Sequence, residues 1–259
     1  MGQPSNQRNT PLLIAAGTVV VAAIVAVAVG FNHAANSGVN RQTETPSAAA
    51  SSTATPTPGA SQVPYADCTT ATFGSPLAPL NQPSDPHVYA TVPGMSIDQT
   101  KLYEATITTA NRGTIVVCLQ PNLAPQTVNV FVTLSRNHFY DGIPWHRVVA
   151  AFIIQAGDPS CIGNVQALPA TPSGTCGSGG PGFHFDDEPV KQQYVDGSIA
   201  MANSGANTNG SQFFISSADN SKNLQPQYNL FGKVATGLDV VGKIQQGDII
   251  QSITVTEQQ

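Results

Sequence analysis

The chain has 259 residues, a formal net charge of −5 and only 10% charged side chains. Proteins that bind nucleic acid normally carry clustered Lys and Arg, and this chain has no basic block, so that class is excluded. When the segments unable to fold are subtracted, about 160–190 residues are left, which is enough for one domain that buries its own core.

The N-terminal segment indicates a membrane anchor. Residues 11–31 contain no charged side chain, and about 21 residues in a helix span the hydrocarbon layer of roughly 30 Å. We therefore expect a cytoplasmic N-terminus over residues 1–10 and a single transmembrane helix over 11–31. A cleaved signal peptide is the alternative, because Ala26-Val27-Ala28 imitates a small-residue cleavage site. The length of the apolar run favours the anchor.

Two segments separate this anchor from the folded domain. Residues 32–63 are rich in Ala, Ser, Thr and Pro and have almost no large apolar side chains. Such a segment cannot offset its chain entropy by burial, so it predicts a disordered linker. A glycosylated or wall-spanning stalk has the same composition and is the alternative. Residues 64–100 contain Cys68, Tyr89 and several prolines, and they predict an irregular lead-in packed on the domain.

The alternation of apolar residues over 101–259 is typical of a β-rich domain. Two alternating runs, 102–109 and 115–119, flank a short Gly-containing turn and predict a β-hairpin. Pro125 opens a segment with one apolar stripe, which predicts a helix, and 237–245 predicts a second. Many short strands with two separated helices favour a closed antiparallel barrel capped by helices. The further predicted strands are 145–149, 152–155, 198–201, 212–216, 229–234 and 249–255.

Two stretches of this domain have an unusual composition for strands. Residues 145–158 place an Arg five residues before a Phe and a Gln three residues after that Phe. Residues 201–215 lead through small residues and amides into Gln-Phe-Phe. Arg is a fixed cation with a planar fork of donors, and amides can hold a peptide backbone at both its N–H and its C=O groups. Together the stretches predict a groove with an apolar floor and amide walls.

These stretches resemble the two signature motifs of cyclophilins, which read close to FHR-x-x-x-x-F-x-x-Q-G-G-D and MAN-x-x-x-NTNGSQFFI. The second motif is matched nearly letter for letter, and the first has Trp145 in place of Phe and Ala156 in place of the first Gly. Flanking blocks follow in the family's order: an AP-x-TV-x-NF-like run at 124–131, FYDG at 139–142, FDDE at 185–188 and LFGKV at 230–234.

The resemblance extends over about residues 101–255 and implies a mainly β fold, a closed eight-stranded antiparallel β-barrel capped by two α-helices. It also implies a peptidyl-prolyl cis-trans isomerase that accelerates rotation about X–Pro bonds in proline-containing polypeptides. No covalent bond changes in that reaction, so no cofactor and no metal are expected. The alternative is a peptide-binding chaperone module with the same fold and little turnover.

The same resemblance implies roles for individual residues. Arg147 corresponds to the catalytic arginine. Tyr228 stands where a His is usual in the family, and Asn223 stands where a Trp often occurs, which puts high affinity for cyclosporin in doubt. The implied substrate-binding residues are Phe152, Ile153, Gln155, Ala202, Asn203, Gln212, Phe214, Leu224 and Tyr228.

The four cysteines of the chain predict two disulfides. Cys161 and Cys176 bracket a Gly- and Pro-rich loop, which a disulfide would close over about 15 residues. Cys118 alternates outward from its strand, so it can bond to Cys68 of the lead-in. The chain has no C-x-x-C pair and no His spacing of a metal site.

The sequence as a whole predicts a single-pass protein of the cell membrane with its catalytic domain outside the cytoplasm. An even cysteine count behind a membrane span favours an oxidising compartment. The expected partners are the membrane, through the N-terminal helix, and proline-containing polypeptides that are exported or lie at the cell surface. The catalytic domain is expected to be monomeric.

Overall fold

The computed structural model describes residues 62–164 and 176–259. None of the helices within these two ranges is long and apolar enough to cross a membrane. The predicted span at 11–31 and almost all of the predicted linker at 32–63 lie outside the described residues.

The described residues form one antiparallel sheet of nine strands with two short α-helices. Neighbouring strands follow the order β1-β9-β2-β3-β8-β6-β7-β5-β4. The mainly β fold with two helices is therefore confirmed. The strands are β1 (Phe73–Pro76), β2 (Tyr103–Thr109), β3 (Gly113–Leu119), β4 (Arg147–Val149), β5 (Ile153–Ala156), β6 (Ser198–Met201), β7 (Phe213–Ser216), β8 (Leu230–Thr236) and β9 (Ile250–Gln258), and the helices are α1 (Pro125–Arg136) and α2 (Leu238–Val241).

The sheet differs from the expected closed eight-stranded barrel, because its strand ladder has two ends, β1 and β4. The additional strand is β1, which comes from the lead-in and pairs with the C-terminal end of β9, with Phe73 opposite Gln258. The segment before β4 meets the start of β9 through two backbone hydrogen bonds with Ile250, one from the N–H of Gly142 (2.8 Å) and one to the carbonyl of Ile143 (2.9 Å), and through an isolated bridge between Pro144 and Ile249. This contact is limited to the first residue of β9, whereas β1 pairs with its C-terminal end, so the strand ladder does not continue from β4 to β9.

Helix α1 begins at Pro125, as the sequence predicts, and is capped by a side chain from another part of the chain. Its N-cap residue, Ala124, has no side chain that can accept a hydrogen bond. Glu188 of the FDDE block accepts hydrogen bonds from the backbone N–H groups of Gln126 (3.0 Å) and Thr127 (2.8 Å). The carboxylate thereby satisfies free N–H groups of the first turn and complements the helix dipole.

Helix α2 is shorter than the predicted span 237–245. It covers only Leu238–Val241, and the chain continues from there in turns. Gly237, which precedes α2, has a φ of 87°, and a Cβ there would lie 2.4 Å from the carbonyl oxygen of Thr114. A glycine is required at this position because the backbone approaches β3 so closely.

Alternation along the strands divides the apolar side chains into two clusters. Ile199 in β6 and Ile215 in β7 lie opposite each other and belong to the main core, which also holds the apolar stripe of α1. The next pair, Ala200 and Phe214, belongs to a smaller second cluster. Because successive side chains of a strand point to opposite faces, this second cluster lies on the outer face of β5, β6 and β7.

The lead-in is held against the domain by a disulfide and by two amides, one in α1 and one in the residue that caps its C-terminal end. The buried Asn129 accepts a hydrogen bond from the backbone N–H of Ser96 (2.8 Å), and Asn137 accepts one from Leu80 (2.7 Å). Cys68 is bonded to Cys118. Both predicted disulfides are present, the second joining Cys161 to Cys176.

Candidate active site

Three of the predicted site residues lie in one row across the outer face of the sheet. Arg147 in β4 is the register partner of Gln155 in β5, and Gln155 is the partner of Phe214 in β7. Directly opposite residues of antiparallel strands project from the same face. The row runs from an exposed guanidinium, through a half-buried amide, to a buried aromatic ring.

Hydrogen bonds connect the polar residues at one end of this row. Nη1 of Arg147 donates to Oε1 of Gln155 at 3.3 Å, and Nε2 of Gln155 donates to Oε1 of Gln212 at 3.0 Å. None of the ion pairs between described residues includes Arg147. Its charge is therefore not neutralised by a carboxylate and is held in place by a neutral amide.

The apolar residues among the predicted substrate-binding residues all belong to the second cluster. Phe214 and Tyr228 pack edge to face, with ring centroids 5.4 Å apart. This apolar surface is partly open beside a cation and can accept a small apolar ring such as a prolyl side chain. The cluster contains the predicted residues Phe152, Ile153, Ala202, Phe214, Leu224 and Tyr228 together with Leu123, Tyr194, Ala200 and Leu230.

A polar cavity adjoins this apolar surface. It has a volume of about 140 Å³ and is bordered by Gln155, Ala202, Asn203 and Gln212. The backbone N–H of Ala202 donates to the carbonyl of Gln212 (2.9 Å), and Nδ2 of Asn203 donates to the carbonyl of Gln227 (2.9 Å). The structure thus brings together all ten residues that the resemblance implies, and their individual roles stay predictions.

Comparison with known proteins decides the family. The model of the family described as cyclophilin type peptidyl-prolyl cis-trans isomerase/CLD matches residues 105–258, more than half of the chain. The chain belongs to this family. The predicted enzyme class, peptidyl-prolyl cis-trans isomerase, is thereby confirmed.

The curated relatives and a solved structure agree with this assignment. A peptidyl-prolyl cis-trans isomerase of Helicobacter pylori (strain ATCC 700392 / 26695) is 42% identical over 153 residues, which are 58% of this chain and 84% of the relative. That of strain J99 is 42% identical over 155 residues, with 85% of its length covered. The crystal structure of a Cryptosporidium parvum cyclophilin type peptidyl-prolyl cis-trans isomerase aligns with a TM-score of 0.50 and 28% identity, over 60% of this chain and 97% of that one.

The departures from the cyclophilin pattern at Tyr228 and Asn223 lie at different depths of the site. Tyr228 packs in the second cluster. Its backbone N–H donates to the hydroxyl of Tyr194 at 2.9 Å. Asn223 is exposed. Its neighbour Leu224 is half-buried and packs against the cluster, since the turn that starts at Asn220 directs it inward. At this point of the chain, Leu224 and not the residue at 223 contributes to the apolar floor.

Two residues that the sequence did not single out organise the cyclophilin pocket. The buried Tyr194 donates its hydroxyl to the carbonyl of Tyr228 (2.7 Å), and burial raises the pKa of Tyr194 far above its ordinary range. The buried Asn220 donates to the carbonyl of Phe152 at 2.8 Å. Neither residue lies in a motif or in a periodic segment, so no sequence signal distinguishes it from an ordinary loop residue.

The first motif also holds two ionisable residues to which no role was assigned, His146 and Asp158. Both are buried. Burial, more than any neighbouring charge, lowers the pKa of His146, while the nearby Asp158 opposes that shift. His146 is therefore neutral at physiological pH. Within the described residues no group of His, Cys, Asp and Glu side chains could hold a metal ion.

Proposed function

We propose that Arg147 is the catalytic residue of this isomerase and that the second cluster binds the proline ring of its substrate. Rotation about an X–Pro bond has a barrier of roughly 18–20 kcal/mol, because amide resonance must be broken. In the twisted transition state the proline nitrogen regains a lone pair. A guanidinium donor directed at that nitrogen binds the twisted state more tightly than either planar isomer, which is what catalysis requires.

The observation that supports this proposal is the hydrogen-bonded series Arg147–Gln155–Gln212 at the edge of an apolar cluster. Gln155 holds the guanidinium without neutralising it. The aromatic floor around Phe214 fixes the proline ring while the carbonyl side of the bond rotates. The amides at the polar cavity hold the peptide backbone on the side that must not move.

The proposal is tested by comparing Arg147→Ala and Arg147→Lys with the wild-type full chain. Exchange between the cis and trans forms of a proline-containing peptide is followed by NMR, and circular dichroism reports the fold. We expect Arg147→Ala to lose roughly 100-fold or more in kcat/KM while staying folded, because one preorganised donor has been removed. We expect Arg147→Lys to recover only part of that loss, since a point charge lacks the planar fork. Peptide binding by wild type without turnover would support the chaperone alternative instead.

We further propose that the enzyme acts on exported or cell-surface proteins from a membrane anchor, as a monomeric catalytic domain outside the cytoplasm. Two buried disulfides support an oxidising compartment, since cytoplasmic thiols are kept reduced. The apolar run at 11–31 supports the anchor. If this is correct, the full chain sediments with membranes, and protease added to intact spheroplasts digests or releases the domain. Protection from that protease would contradict the proposal.

A further inference from the structure

Asp158 carries a completely buried carboxylate beside the site, and the proposed mechanism does not use it. Oδ1 accepts hydrogen bonds from the backbone N–H (2.8 Å) and the hydroxyl (2.7 Å) of Ser160. Oδ2 accepts hydrogen bonds from the backbone N–H groups of Gly177 and, at 2.9 Å, Gly179. No Lys or Arg of the described ranges forms an ion pair with it. A buried carboxylate without a cation depends on its hydrogen bonds, so Asp158 holds residues 177–179 firmly.

Residues 177–179 are held from the other side by Gln212. Nε2 of Gln212 donates to the carbonyl oxygens of Gly177 (3.1 Å) and Gly179 (2.8 Å). The oxygen of the same amide accepts the hydrogen bond from Gln155, which in turn accepts one from Arg147. The amide of Gln212 cannot rotate without losing contacts at both ends. A continuous series of hydrogen bonds therefore leads from Asp158 to the guanidinium.

The Cys161–Cys176 disulfide closes this arrangement covalently. Asp158 caps the short 3₁₀ turn Pro159–Cys161, and Cys176 directly precedes Gly177. Both cysteines are buried, with 0% and 4% of their surface exposed. The disulfide thus ties the start of the 177–179 segment to the end of the turn that begins at Asp158.

We propose that Asp158 and the Cys161–Cys176 disulfide form a positioning device for the isomerase site. They fix residues 177–179, these residues fix the amide of Gln212, and Gln212 sets Gln155 and the guanidinium of Arg147. This inference rests on the proposed catalytic role of Arg147. Asp158 is a positioning residue, because it acts only through other groups. Weakening the contacts of Asp158 with residues 177–179 should lower kcat, since transition-state stabilisation depends on preorganised donors.

Two neighbouring glycines provide a matched pair of variants. A Cβ at Gly179 would lie 2.3 Å from Oδ1 of Asp158 and 2.9 Å from the hydroxyl of Ser160, whereas a Cβ at Gly180 would meet no atom within 4 Å. Neither glycine has a positive φ, so alanine strains the backbone at neither position. Gly179→Ala therefore separates the segment from Asp158, and Gly180→Ala is the control for adding a methyl group to the same loop.

The experiment measures kcat and KM of the full chain and the NMR signals of the Gln155 and Gln212 side-chain amides. In Gly179→Ala and Asp158→Asn we expect these signals to shift and kcat to fall about tenfold, with a smaller change in KM. Gly180→Ala should leave the amide signals in place. The double variant Cys161→Ser/Cys176→Ser should shift the same signals and lower kcat, whereas the other disulfide's variant, Cys68→Ser/Cys118→Ser, should keep the wild-type kcat.

The possible outcomes separate this inference from the proposed function. If Gly179→Ala and Asp158→Asn keep wild-type signals and kcat while Arg147→Ala is inactive, the positioning device is disproved and the role of Arg147 stands. If Arg147→Ala is fully active, the proposed mechanism fails first. Should Asp158→Asn not fold, Gly179→Ala and the Cys161→Ser/Cys176→Ser variant decide the question, because they leave the carboxylate in place.

Discussion

Arg147 and Gln155 lie directly opposite each other in the β4–β5 pair, and the guanidinium Nη1 lies 3.3 Å from the carboxamide Oε1. This hydrogen bond holds the guanidinium in place with a neutral partner. A carboxylate at position 155 would hold it more strongly but would neutralise the charge that the proposed mechanism requires.

Substitution of Gln155 tests whether that neutrality matters. We expect Gln155→Glu to lower kcat/KM roughly tenfold more than the similarly shaped, uncharged Gln155→Met, because only the former neutralises the guanidinium. The measurement is NMR exchange on a proline-containing peptide, with thermal unfolding as the control for stability. Equal losses in the two variants would show that the charge on Arg147 is not what Gln155 protects.

Substitution of Tyr228, which stands where the family usually has a His, tests what this ring contributes to substrate binding. Its ring packs edge to face on Phe214 at 5.4 Å. We expect Tyr228→Phe to keep KM and Tyr228→Ala to raise it roughly threefold to tenfold, which is the size of an aromatic pair interaction. Steady-state kinetics with an X–Pro peptide checks this. A raised KM in Tyr228→Phe would instead indicate that the hydroxyl binds the substrate.

Substitution of Glu188, in the FDDE block at 185–188, tests whether its carboxylate caps the N-terminus of α1. Its carboxylate accepts hydrogen bonds from the N–H groups of Gln126 and Thr127 and from the Thr127 hydroxyl (2.7 Å). We expect Glu188→Ala to lower the free energy of unfolding by about 1–2 kcal/mol, as loss of an N-cap does. Glu188→Gln should cost less, because it keeps the shape and loses the charge. Denaturant unfolding measures both, and no loss in Glu188→Ala would refute the assignment.

The Cys68–Cys118 disulfide should stabilise the domain without affecting catalysis. It closes a loop of 50 residues and joins the lead-in to β3 near the C-terminal end of that strand. By the chain-entropy model we expect its removal in Cys68→Ser/Cys118→Ser to lower the free energy of unfolding by about 4 kcal/mol. Denaturant unfolding under oxidising conditions gives the value. A stability equal to wild type would mean that the pairing of β1 with β9 and the hydrogen bonds of the lead-in hold it without help from the disulfide.

His146 should make the free energy of unfolding depend on pH. We expect this free energy to fall as the pH drops below the ordinary titration range of histidine. Burial lowers its pKa in the folded state, so the unfolded chain binds a proton more readily. The contribution of His146 to the free energy of unfolding is fully present above about pH 6.5. It is lost as the pH falls from there through the lowered pKa. Asp98 and Glu257, whose pKa values are also lowered, titrate in a more acidic range.

The test compares denaturant unfolding of wild type and His146→Asn at pH 8 and at pH 5. Asn keeps a polar group near the Nδ1 position but does not titrate. We expect wild type to lose more stability between these pH values than the variant loses. The same loss in both proteins would show that another group is responsible for the acid sensitivity.

Local patterns in the sequence were sufficient for much of the fold and for the candidate site. Strand β6 has the predicted bounds 198–201, β7 begins one residue later than predicted, and β5 is shifted by one residue at both ends. Strand β2 alternates buried and half-buried side chains, as the pattern over 102–109 predicts, because successive side chains of a strand point to opposite faces. The family motifs brought Arg147, Gln155 and Phe214 into one hypothesis, although 67 residues separate the first from the last. Both disulfide pairs also followed from cysteine placement.

The remaining features depend on contacts between segments that carry no local signal. The pairing of β1 with β9, the capping of α1 by Glu188 and the hold of Asp158 on residues 177–179 each join distant parts of the chain. A carboxylate in a loop has the same appearance in a sequence whether it is solvated or buried, and only the folded chain brings its donors to it. The sequence by itself therefore determined the family, most of the strands and the candidate site residues. The tertiary structure decided which groups hold those side chains in place, because that depends on distances in space and not on spacing along the chain.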